Sequence, residues 1–117
     1  MLLPRLGIVG SVNFLIDTGA FSTALHPSDG VRLGCPFDDL LLPMAFEGVG
    51  GTHTYYRETA VIEFDDSGTE IGLRFELAVA KPHPLVDNLD SLLGRDILNR
   101  LRMEYDFPQD RLELVSS

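Results

Sequence analysis

The sequence is short of the residues that mark several common classes of protein. Its 117 residues include no tryptophan and one cysteine, Cys35. A single cysteine excludes an intrachain disulfide and leaves the redox compartment undetermined. Only nine basic residues stand against 18 acidic ones, for a net charge of −9. That charge disfavours a general grip on nucleic acid phosphates or on an anionic membrane surface, so we expect neither as a partner.

Long hydrophobic runs are also missing. The start, Met1–Leu6, has neither the basic n-region of a signal peptide nor an apolar run that could span a bilayer. We expect a soluble chain with the cytoplasm slightly favoured, and the compartment stays open because a longer precursor could carry a signal. The three histidines are scattered and form no compact ligand motif with Cys35, which we interpret as a small buried residue. We expect no metal and no cofactor.

What is present is an apolar run that ends in an acidic turn. Phe14-Leu15-Ile16 leads straight into Asp17-Thr18-Gly19-Ala20. This order places a carboxylate at a tight turn beside the core, where burial and hydrogen bonds can tune its pKa. One interpretation makes Asp17 a turn residue whose side chain caps its own backbone. The other makes it half of a two-carboxylate acid–base site.

A second segment, Ser91–Leu98, favours the catalytic interpretation. It reads SLLGRDIL, in which paired leucines lead into Gly-Arg-Asp. The two segments together resemble the retropepsin-like aspartic proteases, closer to cellular and bacterial members than to viral ones. In that family a strand ending in Asp-Thr/Ser-Gly-Ala threads past a later apolar strand that ends in glycine. The resemblance implies a catalytic Asp17, with active-site loop support from Thr18, Gly19 and Ala20 and structural residues near the site at Leu93, Gly94, Arg95 and Asp96.

Between the two motifs lies a glycine-rich segment where the family carries a flap that closes over the substrate. Glycine allows unusual backbone angles, so such a segment can admit a peptide and close over it. A phosphate-binding loop is the weaker interpretation, because the helix start and the Lys-Ser/Thr pair are missing. The resemblance implies flap and substrate-binding roles for Gly48, Val49, Gly50, Gly51 and Thr52.

The length of the chain constrains the mechanism. Residues 1–117 suit one domain and are too few for two protease lobes. Because the chemistry needs two carboxylates that share a proton, the resemblance implies a homodimer in which Asp17 meets its own copy across a two-fold axis. The implied reaction is hydrolysis of peptide or protein substrates. Asp66-Ser67-Gly68 also fits the Asp-Thr/Ser-Gly pattern, but its polar setting predicts a hairpin turn.

Two other functional interpretations stay open. A retropepsin-like domain can keep its fold as a catalytically silent module that binds peptides or dimerises. The chain could also be a piece of a larger polypeptide that is active only when tethered or released.

Short strands dominate the pattern, which together with the resemblance predicts an all-β fold: a small closed retropepsin-like β-barrel with one short C-terminal helix. Apolar residues alternate over 71–79, and the run 60–64 is its expected hairpin partner. Ile97, Leu98 and Leu101 fall at helical spacing. Residues 103–107 and 112–114 describe a C-terminal hairpin, which we expect to build much of the dimer interface; the alternative is that it completes the monomer's sheet.

Two positions depart from the viral pattern. Phe21 and Ser22 stand where many retroviral enzymes have two acidic residues. Phe21 either faces the cleft or lies in the core. Arg95 loses the acidic partner that it has in viral enzymes, so we expect a buried ion pair with Asp96 or with an acid of the other subunit, and direct substrate contact is the minor interpretation.

Overall fold

A computed structural model describes residues 1–48, 51–66, 68–106 and 111–116, and these residues are mostly strands. Two short helices, α1 (Pro27–Arg32) and α2 (Arg95–Leu98), and two 3₁₀ turns, Pro4–Leu6 and Phe37–Asp39, accompany them. The strands are β1 (Leu2–Leu3), β2 (Ile8–Val9), β3 (Leu15–Ile16), β4 (Ala24–Leu25), β5 (Leu42–Gly48), β6 (Gly51–Asp66), β7 (Thr69–Ala80), β8 (Leu92–Leu93), β9 (Leu101–Asp106) and β10 (Arg111–Ser116).

The longest pair of strands is the hairpin of β6 and β7, and it confirms the alternating pattern read from the sequence. Ala60 lies opposite Phe75 in an antiparallel register that runs from Tyr55 with Ala80 to Asp66 with Thr69. Phe75, Leu77 and Val79 on one face of β7 are buried, and Gly72, Arg74 and Glu76 on the other face are exposed. Up to Glu76, period-two alternation thus separates core from solvent, as expected for a half-buried strand, whereas Ala78 and Ala80 at the end of the strand are buried as well.

The main sheet corrects the prediction of a closed barrel. Its strands follow the order β2-β1-β6-β7-β4-β8-β3, with β5 pairing on β6, and among the described residues the end strands β2 and β3 do not pair. The C-terminal residues that could continue the sheet instead form a separate two-stranded sheet of β9 and β10. The fold is all-β, and its main sheet is open in the single chain. The predicted C-terminal hairpin is confirmed.

The helices differ from the prediction in number and in length. The helix expected after Gly94 is present but covers only α2, because Leu101 already begins strand β9. Its residues Ile97 and Leu98 are buried against the core, as their spacing indicated. The sequence interpretation missed α1, although Pro27 at its first position is a known start signal. Neither helix, nor any other within the described ranges, is long and apolar enough to cross a membrane.

The short strand β8 connects β3 to the rest of the main sheet. The two-residue strand β8 lies between β3, with which it pairs in parallel, and β4, with which it pairs antiparallel. β4 in turn pairs in parallel with β7, so the segment from β3 to β4 reaches around β8 and returns to the main sheet. Side chains from several of these strands, including Leu25, Leu77, Val79 and Leu93, meet in one core. The turn between β3 and β4 is therefore held from both ends.

Candidate active site

Asp17 stands at the end of β3, where the chain turns across the end of β8. Its backbone N–H donates to the carbonyl of Leu93 over 3.1 Å, extending the parallel pairing of Leu15 with Leu92 and Ile16 with Leu93. The two predicted motifs are therefore in direct contact, although more than 70 residues separate them in the sequence. The tight turn is confirmed.

The carboxylate of Asp17 is half-buried and only partly engaged. Its Oδ1 accepts the backbone N–H of Gly19 over 2.9 Å, and its backbone carbonyl accepts the N–H of Ala20 over 3.1 Å. The local capping interpretation thus describes one oxygen, while Oδ2 accepts no hydrogen bond from the described residues. Thr18 and Gly19 are exposed beside it. The carboxylate keeps one oxygen available for water, substrate or a second carboxylate.

The strand that carries Asp17 is less buried than predicted. Leu15 is 53% exposed and Ile16 is 38% exposed. β3 is the last strand of the open sheet, and among the described strands it pairs with β8 alone, so one of its edges and part of its surface are uncovered by the described part of a single chain. An exposed apolar strand next to an acidic loop is a surface that another chain could cover.

Gly94 occupies a position where only glycine fits. An alanine Cβ there would lie 2.6 Å from the carbonyl carbon of Ser22, 2.7 Å from its oxygen and 3.0 Å from the oxygen of Ala20. The backbone of the Asp17 loop therefore passes directly over Gly94. Arg95 continues the contact, because its N–H donates to the carbonyl of Ala20 over 2.9 Å. This explains physically why a glycine follows the paired leucines.

Asp96 fixes the far side of the same loop. Its carboxylate accepts the N–H of Thr23 over 3.0 and 3.1 Å and the Thr23 hydroxyl over 2.7 Å. The same hydroxyl accepts the N–H of Gly94 over 3.0 Å, and Asp96 also accepts the N–H of Ile97 over 2.8 Å. Thr23 is fully buried. Nothing in the local sequence singled out Thr23, because its partners lie about seventy positions away.

Within the described part of the single chain, Arg95 does not form the predicted ion pair with Asp96; a pair with an acid of another subunit stays a prediction. Its side chain is exposed, and the guanidinium lies over the ring of Phe21, 5.3 Å from the ring centroid. Asp96 is unavailable as a partner, since its oxygens bind Thr23 and the start of α2. Phe21 is 73% exposed and does not enter the core. An arginine above an aromatic ring at this distance makes a cation–π contact.

The predicted flap falls on the hairpin of β5 and β6. Gly48 ends β5 and pairs with Gly51, the first residue of β6, and Thr52 pairs with Glu47. Val49 and Gly50 lie outside the described residues. The structure therefore places the two ends of the segment in a hairpin and leaves its role over the substrate a prediction.

A comparison with family models adds an independent observation. The model of a family described as aspartyl protease matches residues 7–97. The chain belongs to this retropepsin-like aspartyl protease family. The match includes the Asp17 loop, the β5–β6 hairpin and the residues through Ile97, and it ends before the C-terminal hairpin. Comparison with curated proteins and with solved structures yields no match.

This aspartyl protease domain also contains a buried polar network that the sequence did not reveal. His26 and Tyr55 are 2% and 4% exposed, and their Nε2 and hydroxyl oxygen lie 2.8 Å apart. Burial lowers the pKa of His26, and the carbonyl and charge of Asp90 and the charge of Asp29 oppose that effect. Burial likewise raises the pKa of the Tyr55 hydroxyl. The network joins the hairpin to the strands beneath Asp17.

Cys35 is buried, as the sequence interpretation held. Burial is the main cause that raises the pKa of its thiol, and the charge of Glu58 adds to it. A thiol that is harder to ionise is a poor nucleophile. Cys35 is therefore a structural residue of this aspartyl protease domain.

Proposed function

We propose that the chain is an aspartic endopeptidase that hydrolyses peptide bonds with water activated between the two Asp17 carboxylates of a homodimer. The observation that carries this proposal is the Asp17 loop. It presents a carboxylate oxygen that no described residue binds, at the end of β3 and beside the end of β8, with which β3 pairs in parallel. The family match supports protease activity in general.

The dimer follows from the number of carboxylates that the reaction needs. In this chemistry two acidic groups lie about 3 Å apart and share one proton, because both cannot ionise at that distance. Among the described residues within 7–97, one Asp-Thr/Ser-Gly motif, that of Asp17, lies at the end of a strand paired with β8. Asp66 belongs to the end of the β6–β7 hairpin, which turns back to Thr69. A second copy of the chain would supply the missing carboxylate through a two-fold axis.

Exposed apolar residues around the loop support the same assembly. Leu15, Ile16 and Phe21 lie before and after Asp17 and are 53%, 38% and 73% exposed. Burying such side chains against a partner stabilises an interface by roughly 1.5–3 kcal/mol for each one that becomes fully covered. A two-fold contact here would bring the two Asp17 loops together.

In the proposed reaction one Asp17 carboxylate, in its ionised form, takes a proton from water as that water attacks the scissile carbonyl. The other, in its protonated form, donates to the carbonyl oxygen. No covalent intermediate forms. Thr18 would link the two loops through its exposed hydroxyl, and Gly19 would let the substrate backbone approach closely. The hairpin of β5 and β6 would cover an extended peptide, since strands pair readily with extended backbone.

The C-terminal hairpin would contribute much of the dimer interface. It forms its own two-stranded sheet and is not hydrogen-bonded into the main sheet within the described residues. We also propose that residues 1–117 act as one domain. A chain that ends at Arg102 should be monomeric at concentrations where the full chain is dimeric. A truncated chain that still dimerises would remove the hairpin from the interface.

The test is cleavage of a diverse peptide library between pH 3.5 and 7.5, with Asp17→Asn beside the wild type. Loss of the carboxylate should lower kcat by about 10²–10⁴-fold or more, since both proton transfers depend on it. Asp66→Asn is the matched control, because it changes the same motif pattern at a hairpin end and should leave cleavage unchanged. Equal loss in both variants would contradict the assignment.

A mixing experiment tests the shared site. Adding a tenfold excess of Asp17→Asn chain to the wild type should lower cleavage at least about fivefold, because most wild-type subunits then pair with an inactive partner. Undiminished cleavage would show that one chain is sufficient. If a wild-type dimer cleaves nothing in the library, the silent peptide-binding module is the better interpretation.

A further inference from the structure

A buried histidine outside the Asp17 loop connects three separate parts of the chain. The Nδ1 atom of His26 lies 2.6 Å from the carbonyl oxygen of Asp90, and its Nε2 lies 2.8 Å from the hydroxyl oxygen of Tyr55. The His26 and Tyr55 rings meet edge to face, with centroids 5.8 Å apart. At 2% exposure, His26 has almost no contact with solvent.

The partners of His26 determine where its proton sits. A backbone carbonyl can only accept, so Nδ1 carries the hydrogen that points to Asp90. In the neutral ring Nε2 is then an acceptor, and the Tyr55 hydroxyl donates to it. Protonation of the ring would add a hydrogen at Nε2, and the Tyr55 hydroxyl would then have to accept instead of donate. The direction of the bond between His26 and Tyr55 therefore depends on the charge of the imidazole, while the pairing of the two groups does not.

Tyr55 lies at the base of the part of the β5–β6 hairpin that projects from the sheet. In chain order it is the first residue of β6 that pairs with β7, where it lies opposite Ala80. On its other side it pairs with Met44 of β5. Beyond Tyr55 the hairpin continues to Gly48 and Gly51 without β7 beside it. A hydrogen bond to the Tyr55 side chain thus acts at the point where the projecting part of the hairpin leaves the sheet, and it can hold the angle between the two.

The other end of the network reaches the strand beneath Asp17. The Ser91 hydroxyl accepts the N–H of His26 over 3.0 Å and donates to Asp29 Oδ2 over 2.6 Å. Ser91 is the residue before β8, and its carbonyl accepts the N–H of Leu15, the first residue of β3, over 2.8 Å. Ser91 is fully buried. Hydrogen bonds made by the side chains and backbones of His26 and Ser91 therefore link Tyr55 to β3.

We propose that His26 is a positioning residue, which holds the base of the β5–β6 hairpin at a fixed angle to the strands that carry Asp17. The inference rests on the proposed function for its effect on catalysis, because a hairpin that covers a peptide must close at the right height above the carboxylates. A 1 Å displacement of positioning groups can cost an enzyme about 100-fold in rate. A neutral ring suits this position, because a charge on a side chain that is 2% exposed is costly.

Other charged and titratable groups lie near this network, and their effects must be distinguished from that of His26. Asp29 in α1 and Asp90 in the segment before β8 both act on His26 through their charges, and Arg32 forms an ion pair with Asp29. On the hairpin side, the His53 ring lies 5.6 Å from the His83 ring. Following each histidine ring by NMR between pH 4.5 and 7.5 assigns the transitions to single residues.

The experiment compares two variants that remove the same hydrogen bond from opposite ends. Tyr55→Phe deletes the hydroxyl, and His26→Asn keeps a donor for the Asp90 carbonyl but cannot reach Tyr55. At pH 7 we expect each to raise KM about fivefold, the effect of one hydrogen bond, with a smaller change in kcat. The double variant should be no worse than either single one, because the bond is lost only once. Tyr56→Phe, on the adjacent residue, is the matched control and should stay within twofold.

The pH profile provides a readout that a general loss of stability would not move. The wild type should lose activity on the acidic side as the buried His26 ring takes up a charge, and this limb should disappear in His26→Asn, which has no imidazole. A His26→Asn profile of unchanged shape would overturn the proposal, as would a Tyr56→Phe effect as large as that of Tyr55→Phe.

A measurement without substrate separates this inference from the proposed function. Hydrogen exchange of the backbone amides in β5 and in residues 51–57 should speed up about fivefold in Tyr55→Phe and stay unchanged in Tyr56→Phe. That result supports the positioning role even if no peptide is cleaved. Equal exchange in the two variants overturns it, whether or not Asp17→Asn abolishes cleavage.

Discussion

Replacing Gly94 by alanine tests whether the crossing of the Asp17 loop over β8 is as close as the structure indicates. The added Cβ would lie 2.6 Å from the carbonyl carbon of Ser22 and 2.7 Å from its oxygen. Relaxed contacts between carbon atoms are about 3.5–4.0 Å, so the shortfall is about 1 Å. The colliding atoms are backbone and cannot rotate away. The segment through Ser22 must therefore move as a whole.

The size of the effect follows from that displacement. Overpacking of a well-packed site costs about 1–3 kcal/mol, and we expect the upper end because the Arg95 N–H bond to Ala20 is strained as well. A loss of about 3 kcal/mol lowers the melting temperature of a domain of this size by about 10 °C. Since the moved segment begins three residues after Asp17, kcat/KM should fall about 100-fold.

Urea unfolding followed by circular dichroism measures the stability, and peptide cleavage measures the activity. Gly72→Ala is the matched control, because its Cβ would meet only the Val61 side chain at 3.6 Å, an ordinary contact. It should change the free energy of unfolding by no more than about 0.5 kcal/mol. If Gly94→Ala unfolds within about 0.5 kcal/mol of Gly72→Ala, the loop does not cross as closely as described.

Three further predictions concern hydroxyl groups and pH. Thr23→Val should lower the free energy of unfolding by about 2–3 kcal/mol in urea, because it leaves the N–H of Gly94 buried without a partner, whereas Thr59→Val should cost only about 0.5 kcal/mol, since that hydroxyl is exposed. Thr18→Val should weaken dimerisation about tenfold in sedimentation equilibrium, and an unchanged dissociation constant would rule out a hydroxyl link between loops. The stability of the wild type should fall as pH decreases from about 6.5, because the unfolded chain protonates His26 there while burial lowers its pKa in the fold; His26→Asn should flatten this part of the curve.

The local chemistry of the chain was sufficient to predict a good part of the fold. Alternation over 71–79 and its partner run required only that one face be buried, and the observed register of Ala60 with Phe75 confirms the hairpin. The Asp17 turn and the glycine after the paired leucines were also predictable, because both are dictated by backbone geometry within a few residues. The contact between them was implied by the resemblance and is confirmed by the bond from Asp17 to Leu93.

Other features depend on neighbours that are distant in the sequence. Asp96 was the wrong partner for Arg95, because Asp96 binds Thr23 and because the Arg95 guanidinium lies over the exposed ring of Phe21. Helix α1 was missed since it is short and lacks an apolar period. The open edge at β3 was hidden because pairing between strand ends is not a local property.

By itself, then, the sequence determined the all-β character, the single acidic turn at Asp17 and the family to which the chain belongs, because each is recorded in short patterns of residue type and spacing. Only the tertiary structure decided that Asp17 has one oxygen that no described residue binds, that the apolar strand leading to it is exposed, and that His26 joins Tyr55 to Asp90. The two contacts of His26, with Tyr55 and with Asp90, join residues that are 29 and 64 positions apart in the sequence. Which side chains meet over such separations depends on how the whole sheet folds, and no local pattern contains that information.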